Sequence, residues 1–196
     1  MKSKLLMSVL AAGLFAVQTA SAATYEIDPS HTSAQFSVRH MMLSNVKGEF
    51  TKVKGTVSYD PANVAASSVE ATIDTSSVNT REPKRDDHLK SPEFFDAQKF
   101  PSMTFKSTKV EKGPDGKLAV TGNLTIHGIT KEVVLDVDGP TDEVKDPWGN
   151  FRRGASATVK LNRQDFGLKW NKLLETGGVV VGDDVAITID VEMTRK

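Results

Sequence analysis

Cysteine is absent from this 196-residue chain, which excludes disulfides, thiolate nucleophiles and cysteine-ligated metal centres. The fold must therefore hold by its own apolar core, which a chain of this length can supply. Excess charge is missing too. With 25 basic residues against 25 acidic ones, no polyanion such as nucleic acid is suggested as a partner. Beyond Val17 there is no long apolar run, so nothing in the body of the chain is expected to span a bilayer.

The single apolar run lies at the start, where Lys2 and Lys4 precede Leu5 to Val17 and Ala20-Ser21-Ala22 follows. Basic start, short apolar centre and small-residue ending, in that order, are the pattern of a secretory signal peptide. The expectation is a leader over residues 1–22 and one exported domain over 23–196. Taking Lys2 and Lys4 from the 25 basic residues leaves 23 against 25 acidic, a formal charge of −2.

What the chain does have is strand periodicity. Leu118, Val120, Gly122, Leu124 and Ile126 alternate with Ala119, Thr121, Asn123 and Thr125; after His127-Gly128, Val133, Leu135 and Val137 share a face. Two such runs around a Gly-containing connection predict an antiparallel hairpin. Ala34, Phe36 and Val38 repeat the pattern, as do Val69, Ala71 and Ile73, then Ala155 to Leu161, then Val185 to Met193. Asn45 to Tyr59 is too long for one simple strand, and Gly48 and Gly55 inside it predict a bulge or bend. Thr80 to Phe100 does not alternate and predicts one or two short helices in a long connection, with Ser91-Pro92 as a helix start. An ordered connection of that length is expected to be a lid or binding loop. Asn162 to Leu168 has room for one helical turn.

About eight strands, each apolar on one face and joined mostly by short turns, predict an all-β antiparallel sheet. A two-layer sandwich or a closed barrel would satisfy this. The closed β-barrel is favoured, because strands of about ten residues reach roughly 33 Å and closure removes exposed edges. An eight-stranded barrel is wide enough for one small ligand.

Chemistry-bearing patterns are few. His31, His40, His88 and His127 form no close pair of metal-ligand spacing, so no metal is expected. There is no G-x-S-x-G elbow, and Asp86, Asp87 and Glu93 read as a solvated charged loop. Gly177-Gly178 lacks the Lys of a phosphate loop. Apolar excess remains in the connections: Met41-Met42-Leu43, Phe94-Phe95 and Leu168 to Leu174. These residues either plug the barrel ends or line a pocket in a barrel mouth.

Asp28-Pro29-Ser30-His31-Thr32, Phe36-Ser37-Val38-Arg39-His40 and Val46-Lys47-Gly48-Glu49-Phe50 resemble the opening of the YceI family. Arg85-Asp86-Asp87-His88-Leu89, with Ser91 and Phe94-Phe95-Asp96, resembles its central motif. Phe100-Pro101, Leu124 to Lys131 and Arg163-Gln164-Asp165-Phe166-Gly167-Leu168 are similar to its later blocks. The resemblance implies a lipocalin-like barrel, exported to the periplasm, holding a polyisoprenoid, a quinone-like molecule or a similar long-chain lipid, with no cofactor required and no catalytic residues. Contacts to such a lipid are expected at Phe36, Val38, Phe50, Phe94, Phe95, Phe105, Phe166, Leu168 and Trp170. Arg85 and His88, in the lid, either meet a polar head group or make structural bonds. A homodimer is compatible with the sequence. Two rival readings stay open: an enzyme acting on such a lipid through Asp87 and His88, and a stress-related structural protein whose barrel is plugged.

Overall fold

The computed structural model describes residues 22–175 and 177–196. The expected leader falls on residues 1–21 and Ala22, so all of it but the last residue lies outside the described residues. The strands are β1 (Ala23–Ile27), β2 (Ser33–His40), β3 (Ser44–Phe50), β4 (Val53–Tyr59), β5 (Ser68–Asp74) and β6 (Val78–Asn79), followed by helix α1 (Pro83–Lys90). After it come β7 (Ser102–Lys112), β8 (Leu118–Ile126), β9 (Ile129–Asp138), β10 (Val144–Lys145), β11 (Phe151–Asn162) and β12 (Val181–Arg195).

These strands make an eight-stave closed barrel: three pairs of short strands are single staves broken in the middle, and the two-residue β10 lies on the same edge of β11 as β9. Both β1 and β2 lie along one edge of β12, with Ile27 opposite Met193 and Ala34 opposite Ile189. Their other sides pair with β4 and β3, and these in turn pair with β5 and β6. The breaks stack on one another: the Thr51 amide donates to the Ser77 carbonyl and the Asp74 amide to the Lys52 carbonyl. Every pairing is antiparallel, the staves follow chain order, and β12 closes the ring by pairing with β11 from Arg152–Thr194 to Asn162–Asp184. The β9–β11 seam is short, with three paired positions from Ser156–Asp138 to Thr158–Asp136.

The expected bend in Asn45–Tyr59 is present, but at Thr51-Lys52 rather than at Gly48 or Gly55. Gly48 serves another purpose. A Cβ there would sit 2.4 Å from the ring of Phe36, its cross-strand neighbour, and one at Gly122 would sit 2.5 Å from the ring of Phe105. Each glycine makes room for an aromatic ring turned into the barrel, the use to which a strand glycine is often put.

One polar knot fastens the outside of the barrel. Arg152 on β11 donates to Asp28 at the β1–β2 break (2.7 Å), to Asp146 in the turn before β11 (2.9 Å) and to Glu192 on β12 (3.4 Å). Arg152 holds the Asp28 carboxyl well below the usual carboxylate range, helped by His31 and the Ser30 amide. Asp146 is lowered to about 2, chiefly by the Asn150 side chain and then by Arg152. Both groups are more acidic folded than unfolded, so their contribution is present above about pH 4 and is lost as pH falls through the folded values. The urea midpoint is therefore expected to fall between about pH 4 and pH 2. Arg152→Gln should flatten that decline; an unchanged acid profile in the variant would remove the knot from the explanation.

Candidate functional site

The interior rows do not meet in the middle. They leave a cavity of about 280 Å³, nearly double the engineered cavity of about 150 Å³ that stays dry and binds benzene. The lining runs the length of the barrel, from Phe94, Leu168 and Val181 at one end to Val110, Leu118 and Pro140 at the other. The walls are strand rows read off by parity: Val185, Ile187, Ile189, Val191 and Met193 of β12 all face inward, as do Ala155, Ala157, Val159 and Leu161 of β11. Such a tunnel has nothing to offer a charged or hydrogen-bonding ligand along most of its course. It suits a flexible apolar chain.

Helix α1 and the segment behind it close one end. The expected helix start at Ser91-Pro92 is instead the helix end: α1 begins nine residues earlier, with Glu82 accepting from the Lys84 amide and Pro83 at the first position. Ser91 uses both its amide (3.1 Å) and its hydroxyl (2.8 Å) on the His88 carbonyl, so it stops the helix by capping the C-terminal end. A buried threonine anchors this lid. Thr80 gives its amide and hydroxyl to Asp86 (2.8 and 2.6 Å), while Arg85 donates to its hydroxyl (2.7 Å) and carbonyl (2.9 Å). From the inner side, Leu89, Phe94 and Phe95 reach the cavity. Phe95 stands edge-on to Phe50 at 5.5 Å, and Phe50 lies 5.8 Å from Phe36.

Of the eleven residues singled out by sequence, Phe36, Val38, Phe50, Phe94, Phe95, Phe105 and Leu168 are brought together on the cavity wall. Phe166 is buried in the packing beside it without lining it. Trp170 lies on the outer side of the lid, 5.2 Å from the Phe94 ring and 5.0 Å from His88. The His88 imidazole meets Glu93 at 2.5 Å, and Arg85 is turned to Thr80; neither lines the cavity. Asp87 is exposed and does not line it either. Met41-Met42-Leu43 and Leu173 neither plug the barrel nor line it, and all four are exposed.

Arg163 is the residue that the candidate list lacked. It is 5% exposed and borders the tunnel, yet none of its five N–H groups is left for a ligand. Nε donates to Gly182; one terminal nitrogen donates to Leu168 and Trp170, the other to Val181 and Asp183. Burial lowers its pKa, and Asp183 opposes that shift. It organises the β11–β12 connection on which Leu168 and Trp170 sit. Parity could have found it, since 155, 157, 159 and 161 point inward and 163 continues the row.

Among the described residues, Asp28, His31 and Glu192 bring possible metal-ligand atoms within 4.8 Å of one another. The Arg152 guanidinium already serves both carboxylates, and the cluster is explained as an ion-pair network.

The family profile of the YceI-like domain matches residues 25–193. The chain belongs to the YceI-like family. A UPF0312 protein of Vibrio cholerae is 43% identical over 168 residues, covering 83% of this chain and 88% of the relative. Among solved structures, the Campylobacter jejuni YceI protein superposes with a TM-score of 0.64 at 34% identity, covering 81% of this chain and 90% of that one. A polyisoprenoid-binding domain of Saccharophagus degradans, implicated in plant cell wall breakdown, superposes at 0.65 with 15% identity, over 89% and 99% of the two chains. At that identity the likeness is one of fold. The fold is thus the closed antiparallel barrel favoured from the strand pattern, in the lipocalin-like form that the family resemblance implies. No helix among the described residues is long and apolar enough to cross a membrane.

Proposed function

We propose that this YceI-like protein is an exported, periplasmic carrier that encloses a polyisoprenoid or similar long-chain lipid in the tunnel and makes or breaks no bond in it. The observation that carries the reading is the unfilled apolar interior. At about 24 cal/mol per Å³, 280 Å³ of apolar void costs on the order of 7 kcal/mol, which rivals the whole net stability of an ordinary domain. Larger side chains at Ala34, Ala155 or Ala157 would recover part of that cost, and the chain keeps alanine there. A chain-like ligand recovers it instead, at about 0.8 kcal/mol per buried methylene less its ordering cost. The polyisoprenoid-binding domain of similar fold supports this ligand class, and the sequence of the leader supports export.

Mass spectrometry of the freshly purified protein under native conditions, with organic extraction, is expected to find a bound apolar lipid. Adding a polyprenol to the extracted protein at a hundred times its Kd should stabilise it by about 2.7 kcal/mol, which raises Tm by roughly 5–10 °C for a domain of this size. A protein that carries no lipid and whose Tm ignores polyprenol and quinone alike would overturn the proposal.

A further inference from the structure

The hairpin turn between β2 and β3 is built against its own conformational preferences. The Leu43 amide bonds the His40 carbonyl at 2.9 Å, and the two residues between them, Met41 and Met42, both have positive φ (49° and 61°). Such turns favour Asn-Gly, because bulky side chains are strained in the left-handed region. Here two methionines take the strain, and it holds Met42 and Leu43 out into water, 54% and 77% exposed. Backbone strain kept at an exposed apolar tip points to a use outside the core.

A second apolar tip stands beside it. The Met41 amide bonds Val180 (2.8 Å), Val180 bonds Lys172 (2.9 Å), and Leu173 bridges Val179. This ties the 168–180 segment to the hairpin and leaves Leu173 85% exposed. Lys169 and Lys172 on this segment, and Arg39, whose guanidinium donates to the Met42 carbonyl, stand by the two tips, exposed and joined in no ion pair among the described residues, against Glu175 as the one acid in 169–175. At the tips themselves these three cations outnumber Glu175, while the lid beside them carries Glu82, Asp86, Asp87 and Glu93. The same segment carries Trp170, which packs on His88 and Phe94 of the lid. The far end exposes Trp148 and Val144 as well, 82% and 59%, and there Lys145 and Arg195 stand over the Phe151 ring, which is still 42% exposed.

We infer that Met42, Leu43 and Leu173, ringed by these cations, dock the lid end of the barrel onto an anionic bilayer surface. Apolar side chains set in a basic rim match the layering of acyl chains beneath acidic head groups. The site would face the tunnel mouth toward the source of an apolar lipid, which deepens the carrier reading and rests on it.

Flotation of the protein with vesicles of phosphatidylglycerol and phosphatidylethanolamine, against phosphatidylcholine vesicles, tests this. The wild type is expected to float with the anionic vesicles only and to release in high salt. The Leu43→Ser/Leu173→Ser double variant should lose about tenfold or more of that partitioning, while binding farnesol from solution as the wild type does. A wild type that floats with neither vesicle, or a double variant that floats equally well, overturns the inference. So does a solution dimer that the double variant dissolves, because the patch then belongs to a second copy. Flotation without farnesol binding in either protein leaves docking standing and removes the carrier reading instead.

Discussion

Replacing Arg163 with methionine is expected to be the most destabilising single change in the tunnel wall. The side chain is buried, and its five N–H groups serve the carbonyls of Leu168, Trp170, Val181 and Gly182 and the Asp183 carboxylate. Methionine fills similar space and satisfies none of them. Breaking one side of a buried charged network costs about 3–5 kcal/mol, so Tm should drop by roughly 6–20 °C. Lysine keeps the charge but has only three donors on a point-like ammonium, and Arg163→Lys should recover a minor part of the loss. Because the network also holds Leu168 against the tunnel, ligand affinity should fall along with stability. Urea unfolding decides the matter: an Arg163→Met protein within about 1 kcal/mol of the wild type would show that the connection holds itself without the guanidinium.

Arg163 also shows where sequence reading reached and where it stopped. Alternation fixes which side of a strand a residue occupies, because successive side chains point to opposite faces. The rows Leu118–Ile126, Ala155–Leu161 and Val185–Met193 were therefore legible, and with them most of the tunnel wall. Parity carries to position 163 as well, but an arginine on an apolar row reads as the end of a strand unless the acceptors that satisfy it are known. Those acceptors lie up to 20 residues away.

The connections were less legible for a related reason: local signals conflict there, and tertiary contacts choose between them. Ser91-Pro92 looks like a helix start. The structure starts the helix nine residues earlier, at Glu82-Pro83, and uses Ser91 as a stop, because Ser91 has the His88 carbonyl to cap. The break at Thr51-Lys52 has no glycine to announce it; it is set by the matching breaks at Asp74–Ser77 in the adjacent stave. Met41-Met42-Leu43 lies outside the barrel because Met41 is bonded to Val180, a partner that no local pattern identifies.

Introducing a ring into the middle of the tunnel should have the opposite signature to Arg163→Met, weakening ligand binding without weakening the fold. Ala157 on β11 faces inward between Val137 of β9 and Ile189 of β12. A phenyl ring there takes up a large part of a 280 Å³ cavity, given that about 150 Å³ accommodates benzene. If it displaces about four methylenes of a bound chain, the loss is about 3 kcal/mol, or roughly a hundredfold in Kd. Stability should hold or rise, because filling an apolar void returns part of what the void costs. Val159→Phe, one step along the same row toward the lid, provides a second copy of the test should strain at 157 disturb the wall. Titration of extracted Ala157→Phe with a polyprenol, beside its thermal melt, reads both quantities. Unchanged lipid affinity in two variants that fold well would mean that the lipid does not occupy the barrel interior, since a chain threaded past positions 157 and 159 cannot share that space with a ring.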